Sequence, residues 1–336
     1  MDCLEQNGLL KLLQRKSSRQ FRYYLDTCSR CGMCSDACHV YRTQGDYKNV
    51  PAYRVDVLRR IFKRYFSWGG RLFSFLFGAV DLDDHILEQM YEAAYTCTGC
   101  RRCMVFCPFG IDLTSLINIE KALLAFTGSI PEDLDMLTDI AIEKGTVMEL
   151  YRTVVQEQMS KLEPELQRLT NMPEANIPLR VSGARILYVS LGSKDSILIP
   201  AAILNLAGAC WSLSEFEASN FGYFIGDTDR ARQIAERIVN EAKELGVEEV
   251  VIIECGHAYR IMKHLQETWS GQQHPFKVKS VLELWSQYLQ EGRIGLKRNR
   301  LSSPITYHDP CQLGRNGGIF EEPRWIIRQI ANDFGK

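Results

Sequence analysis

Eight cysteines in two identical runs restrict this chain more than any other feature. Cys97, Cys100, Cys103 and Cys107 stand at C-x2-C-x2-C-x3-C before Pro108, and Cys28, Cys31, Cys34 and Cys38 repeat that spacing. Thiolates so spaced hold cubane [4Fe-4S] clusters: the tight x2 loops wrap three corners of a cube, and in two-cluster proteins the fourth ligand comes from the other run. The rule assigns Cys28, Cys31, Cys34 and Cys107 to one cluster and Cys97, Cys100, Cys103 and Cys38 to the other. Any fold must then bring residues 28–38 beside 97–107. Tetrahedral zinc needs only two C-x2-C pairs, and a disulfide framework belongs to short secreted chains, so both explain the pattern less well. One departure is that His39, not proline, follows Cys38.

Twelve cysteines in a chain with no export signal at its N-terminus point to a reducing compartment, where thiolates stay available for iron. No stretch approaches the roughly 18 to 20 apolar residues that span a bilayer; Leu72 to Val80 and Ile197 to Trp211 come nearest. The expectation is a cytoplasmic protein, peripheral on the inner face of the cell membrane. A net charge of −1 hides an asymmetry, since residues 1–80 hold 14 Lys and Arg against 6 Asp and Glu. Such a segment suits an acidic partner or an anionic surface. Nucleic acid is disfavoured, because the basic residues surround a redox motif and no nucleic-acid motif accompanies them.

The chain's 336 residues, 46% of them hydrophobic, are enough for two packed domains. Helical periodicity runs over residues 4–16. Over Pro51 to Phe66, Val55, Leu58, Phe62 and Phe66 share one face while Arg59, Arg60, Lys63 and Arg64 share the other. That helix and the apolar Leu72 to Phe77 are read either as core helix with a solvated face or as a surface touching a membrane subunit or lipid headgroups. Helices also follow over Asp81 to Tyr95 and Ile111 to Phe126. With 58 largely helical residues between Cys38 and Cys97, the first domain, residues 1–128, is expected to be an α-helical ferredoxin. A helical linker covers 129–183, opened at Pro131 and broken at residues 171–178.

From residue 184 to 336 the texture becomes α/β. Strands are expected over Arg185 to Ser190, Glu249 to Glu254 and Ile305 to His308, with helices over Ile197 to Ala209, Asp229 to Leu245 and His257 to Gln266. This alternation implies a mainly parallel sheet, whose ligands gather at the carboxyl ends of strands. Cys255 and Cys311 fall at such ends, with His257 and His308 beside them as proton donors for thiol chemistry. Cys3 and Cys210 are read as small buried hydrophobes.

These residues resemble the heterodisulfide-reductase-related iron-sulfur proteins, in which an α-helical dicluster ferredoxin domain precedes cysteine-rich CCG domains. The matches are the two cysteine runs and Y-H-D-P-C-Q-L-G-R at Tyr307 to Arg315, similar to the opening of a CCG repeat. The resemblance implies an electron-transfer subunit of an oxidoreductase with two [4Fe-4S] clusters, relaying electrons between a membrane cytochrome b-type subunit or an electron-transfer flavoprotein and a thiol/disulfide-type site. It also implies a noncubane [4Fe-4S] cluster at Cys311 where enough thiolates are present. Here the first repeat reads Val189-Ser190-Leu191-Gly192, Ser219-Asn220-Phe221-Gly222 and Cys255-Gly256-His257-Ala258, keeping only Cys255. The second keeps Cys311, and its paired cysteines would lie beyond Lys336, so the Cys311 site is expected to be incomplete, in a fragment of a longer chain or with ligands from elsewhere. Alternatives are the iron-sulfur subunit of an anaerobic glycerol-3-phosphate, lactate or flavoprotein-linked quinone oxidoreductase, and a structural or regulatory metal-binding protein. No G-x-G-x-x-G occurs, so a flavin would sit on another subunit.

Overall fold

A computed structural model describes residues 3–145, 151–253, 255–297, 303–331 and 333–334. Contacts divide the chain into two units: residues 1–135 with 223–228, and residues 136–222 with 229–336. From Met136 onward, the stretch expected as a linker therefore groups with the α/β part.

The first unit is helical. Its elements are α1 (Cys3–Lys16), α2 (Arg19–Thr27), α3 (Met33–Ala37), α4 (His39–Gln44), α5 (Pro51–Arg54), α6 (Asp56–Phe66), α7 (Trp68–Leu72), α8 (Ser74–Phe77), α9 (Asp84–Tyr95), α10 (Arg102–Phe106) and α11 (Leu113–Phe126). Helix starts follow side-chain caps: Ser18, Asp83 and Asp112 accept backbone N–H groups of the first turns of α2, α9 and α11. Leu9 and Leu13 of α1, Phe21 of α2, Leu58 and Ile61 of α6, Met90 of α9, and Leu116 and Leu124 of α11 close one core. Each side chain of this size contributes roughly 1.5–3 kcal/mol by leaving water.

The single helix expected over Pro51 to Phe66 is broken at Val55 into α5 and α6, and its polar face is not uniformly solvated. Arg59 is buried, donating from Nε to the Leu25 carbonyl at 3.2 Å and from Nη1 to Asp56 at 2.7 Å. It belongs to the core and not to a docking face. Residues 223–228 complete the unit: Tyr95 and Lys121 donate to the carbonyls of Ile225 and Phe224, each at 3.1 Å. Gly226, at φ 84°, lies so close to the Lys121 backbone that a Cβ would meet it.

The second unit carries α12 (Glu132–Lys144), α13 (Tyr151–Thr170), β1 (Ile186–Val189), α14 (Lys194–Leu206), β2 (Trp211–Leu213), α15 (Phe221–Ile225), α16 (Thr228–Leu245), β3 (Glu249–Ile252), α17 (Gly256–Arg260), α18 (Gln266–Ser270), β4 (Lys277–Ser280), α19 (Val281–Gln290) and α20 (Glu321–Ile330), with α12, α15 and the first residue of α16 straddling the division. The sheet is all parallel in the order β2-β1-β3-β4. Central strands covered on both faces read as unbroken apolar runs, as in Leu187-Tyr188-Val189 and Val250-Val251-Ile252, all inaccessible to solvent. Pro200 sits inside α14 and has no N–H for the Ser196 carbonyl; the Tyr188 hydroxyl donates to that carbonyl instead, at 2.6 Å.

Three expectations change here. Ile305 to His308 is not a strand of the sheet: Ile305 makes one isolated bridge to Phe334, and Thr306 and His308 face solvent. Pro304 and Pro310 bracket the stretch without N–H groups for a ladder, so Cys311 does not stand at a strand's carboxyl end. It opens a π-turn, Cys311–Arg315. The helix expected over His257 to Gln266 is α17, a π-turn at Ile261–Leu265, and then α18. Cys210 is exposed, its thiol donating to the Gly183 carbonyl at 3.6 Å. It lies just before the three-residue edge strand β2, where nothing packs over it. Glu254 and the Cys3 side chain lie outside the described residues.

Candidate metal centres

The two cysteine runs share one backbone plan. In each, the residue before the second cysteine and the residue after it have positive φ: Arg30 (58°) and Gly32 (85°) in the first run, Gly99 (66°) and Arg101 (59°) in the second. Glycine and arginine exchange places between the runs. A non-glycine residue in the left-handed region costs on the order of 1 kcal/mol or more, so both loops hold strain where a chain must curl tightly. A five-residue helix follows each loop and carries the third cysteine, Cys34 on α3 and Cys103 on α10. Each helix ends at the fourth cysteine in extended conformation, Cys38 (ψ 110°) and Cys107 (ψ 122°). Helices α3 and α10 pack against each other.

That packing gathers the thiols into two cavities. Cys28, Cys31, Cys34 and Cys107 line the first, with Ala52, Pro108, Ile111 and Leu113. Cys38, Cys97, Cys100 and Cys103 line the second, with His39, Arg54, Arg101 and Arg102. Each cavity thus draws three cysteines from one run and the fourth from the other. Among the described residues no three His, Cys, Asp or Glu side chains converge on a single-ion position; the thiols ring a volume.

The donor set fits an anionic thiolate cluster. Burial pushes the Cys34, Cys97 and Cys103 thiols up, so their thiolates need a compensating metal charge. Arg54, almost fully buried at the wall of the second cavity, reaches Cys38 Sγ from Nη1 at 4.0 Å and Asn49 Oδ1 from Nη2 at 2.9 Å. Its Nε and that of Arg101 are buried donors with no partner. Arg101 also pairs with Asp112 at 3.0 Å, which joins the second run's loop to the cap of α11. Glu120, on α11, is fully buried, and neither carboxylate oxygen makes a hydrogen bond of ordinary geometry, the Leu58 backbone being its near neighbour. Burial holds its carboxyl well above the usual range; the Arg54 charge and the Leu58 amide act against this without reversing it.

The other sequence-derived residues lie in the second unit. Cys255 occupies the N-cap position of α17 without a side-chain capping bond and Cys311 opens the π-turn, both half-buried. The two segments pack together: a Cβ on Gly256 would strike the Leu313 amide and Gln312. His257 is half-buried, and His308 is exposed. The degenerate positions hold oxygen and nitrogen groups, with Ser190 buried after β1 and Asn220 donating to the Ala231 carbonyl at 2.8 Å. Asp309 is clamped by Arg324 through two bonds of 2.5 and 2.7 Å, which makes this part of Y-H-D-P-C a structural brace.

Residues 24–111 match the family model of the 4Fe-4S dicluster domain. An Hdr-like menaquinol oxidoreductase iron-sulfur subunit 2 from Archaeoglobus fulgidus is 27% identical over 95% of this chain and 65% of its own length. A subunit of the dihydromethanophenazine:CoB–CoM heterodisulfide reductase of Methanosarcina mazei is 24% identical over 91% of the chain and 73% of its own length. The chain is similar to heterodisulfide-reductase-related iron-sulfur proteins. An EtfAB:quinone oxidoreductase from Syntrophomonas wolfei is a more distant relative, 20% identical over 90% of the chain and 45% of its own length. No solved structure matches. The chain spans 65% of the length of the Archaeoglobus relatives. Its dicluster domain carries two [4Fe-4S] clusters. Sequence reasoning missed Arg54, Arg101 and Glu120; the signal available for Arg54 was a cation in the first turn after Pro51, beside an otherwise apolar face.

Proposed function

We propose that the chain is the iron-sulfur electron-transfer subunit of a heterodisulfide-reductase-like oxidoreductase, with Cys28, Cys31, Cys34 and Cys107 holding one cluster and Cys38, Cys97, Cys100 and Cys103 the other. The pair of four-thiol cavities joined through α3 and α10 carries this reading. A bound [4Fe-4S] cluster supplies one-electron redox chemistry; the chain ligates, buries and charges its surroundings. The first cavity opens at the surface: Cys31 is exposed, as are Met33, Phe106 and Phe109 around it. A redox partner docking there would approach the cluster closely. Arginines surround the second cavity, which suits the other end of the relay. The partner is a membrane cytochrome b-type subunit, with the chain peripheral on the inner membrane face. Among the described residues no helix is long and apolar enough to cross a membrane.

A second reading, an electron-transfer flavoprotein as donor and quinone as acceptor, draws on the EtfAB:quinone oxidoreductase relative. Cys255 and Cys311, with His257 and His308, are the proposed thiol site in the first reading; in the second they are structural. Anaerobic purification from the native host tests both. A cytochrome travelling with the chain supports the first, and a flavoprotein supports the second. Iron analysis giving about eight irons per chain, four per cubane, is expected in either case. Zinc in place of iron, or no absorbance that bleaches in air, would overturn both.

A further inference from the structure

The first unit has a projecting element that the relay does not use. Six of the ten residues from Trp68 to Phe77 are large, apolar and exposed: Trp68 by 79%, Leu72 by 60%, Phe73 by 48%, Phe75 by 93%, Leu76 by 75% and Phe77 by 47%. Exposed apolar residues scattered singly need no explanation, but a contiguous group on one projection marks an interaction site.

The projection is built. Ser67 caps α7 by accepting the Gly70 N–H at 3.1 Å. A Cβ on Gly70 would strike the Lys63 carbonyl, and one on Gly69 would strike the Phe77 ring, so α7 and α8 pack tightly and fold back on α6. Arg71 donates to the Tyr65 carbonyl at 2.8 Å, and Arg64 to the Arg71 carbonyl at 3.3 Å. Backbone and cations are thus fixed while the apolar side chains stay exposed.

The surrounding charge indicates what covers it. No acidic residue occurs between Asp56 and Asp81, whereas Arg60, Lys63, Arg64 and Arg71 flank the tip. Arg64 pairs with Asp81 at 2.6 Å; Arg60 and Lys63 have no acidic partner among the described residues. Aromatic and aliphatic side chains on a convex tip with lysine and arginine behind them match a bilayer interface, where aromatics sit at headgroup level and cations meet anionic lipids. A protein partner would have to supply a groove of matching shape; lipid needs none.

We propose that residues 68–77 form a foot that inserts Trp68, Leu72, Phe75 and Leu76 into the interface of an anionic bilayer, with Arg60, Lys63 and Arg71 on its phosphates. This deepens the peripheral placement given above, and it stands or falls separately from the cluster assignment, which is read in iron content and spectra.

The test is co-sedimentation of the full, iron-loaded chain with vesicles of phosphatidylcholine alone and with vesicles part phosphatidylglycerol. Binding is expected with phosphatidylglycerol, weakened by salt. Phe75→Glu with Leu76→Glu should weaken it by roughly tenfold or more, since burying one such side chain is worth at least that factor. Cluster absorbance should be unchanged, which shows that the variant folds. Lys63→Glu should weaken binding to a smaller degree. Absence of binding to phosphatidylglycerol vesicles overturns the proposal, whether or not the double variant disrupts association with a protein subunit. Equal binding to both vesicles overturns the role of the cations.

Discussion

The charges in the interior of the first unit carry the sharpest consequences for single residues. Arg54 reaches the sulfur of Cys38 from a site closed to solvent, and a donor on a ligating sulfur favours the more negative, reduced state of a cluster. Arg54→Gln should therefore lower the midpoint potential of the cluster at Cys38, Cys97, Cys100 and Cys103 and leave the other unchanged. A one-electron shift of roughly 59 mV corresponds to about 1.4 kcal/mol, within the range of a charge-assisted hydrogen bond, and a change of that order should appear in a redox titration followed by electron paramagnetic resonance. Equal shifts in both clusters would mean a general loosening. Glu120 gives a pH dependence. Its folded pKa is raised, so the native state holds a proton that the unfolded chain releases above the ordinary carboxylate range. Stability should fall as pH rises from about 4.5, the ordinary glutamate value, toward the raised one, by about 1.4 kcal/mol for each unit separating the two. Glu120→Gln should flatten this limb in thermal unfolding across pH, and an unchanged slope would assign the proton elsewhere. Neither residue was legible in the sequence. Spacing along a covalent chain announces eight cysteines, but an arginine or glutamate beside apolar residues has the same pattern whether it faces solvent or, like Arg54, Arg59 and Glu120, the core.

At the scale of elements, legibility followed burial. The strands at residues 186–189 and 249–252 were readable because both faces are covered and the sequence is apolar but for Glu249 at the start of the second. β2 has three residues and β4 is Lys-Val-Lys-Ser, too short or too polar at an edge to stand out, and Ile305 to His308 had strand-like residues with no neighbour to pair with. The cluster loops are the converse case: their spacing was plain, and their strain was not. Gly32 at φ 85° has open space around the position of a Cβ, so Gly32→Ala meets no neighbour and pays only the cost of the left-handed region, on the order of 1 kcal/mol. Arg30→Gly removes the same kind of strain one position from Cys31. Thermal unfolding of the iron-loaded protein should show Gly32→Ala destabilised and Arg30→Gly equal to or above the parent. The opposite order would mean that the Arg30 side chain, 3.5 Å from Asp56, outweighs its backbone.

For the molecule as a whole, the crossed lining of the two cavities brings residues 28–38 beside residues 97–107, so that neither half of the helical unit completes a four-thiol cavity without the other. If each run held its own cluster, removing a cysteine would cost the cluster of the run it belongs to. The cavities predict otherwise, because Cys107 belongs to the second run in sequence while lining the cavity of Cys28, Cys31 and Cys34. Cys107→Ser should degrade the cluster of the first run, leave three cysteines of the second run with Cys38 still in place, and weaken the contact of α3 with α10 that both cavities share. Iron content should fall toward about four per chain, and electron paramagnetic resonance should show the surviving signal to be the one displaced by Arg54→Gln. Cys38→Ser should give the reciprocal pattern, removing the Arg54-sensitive signal and sparing the other. Loss confined to the second run's cluster in Cys107→Ser would return each run to its own cluster and separate the two halves.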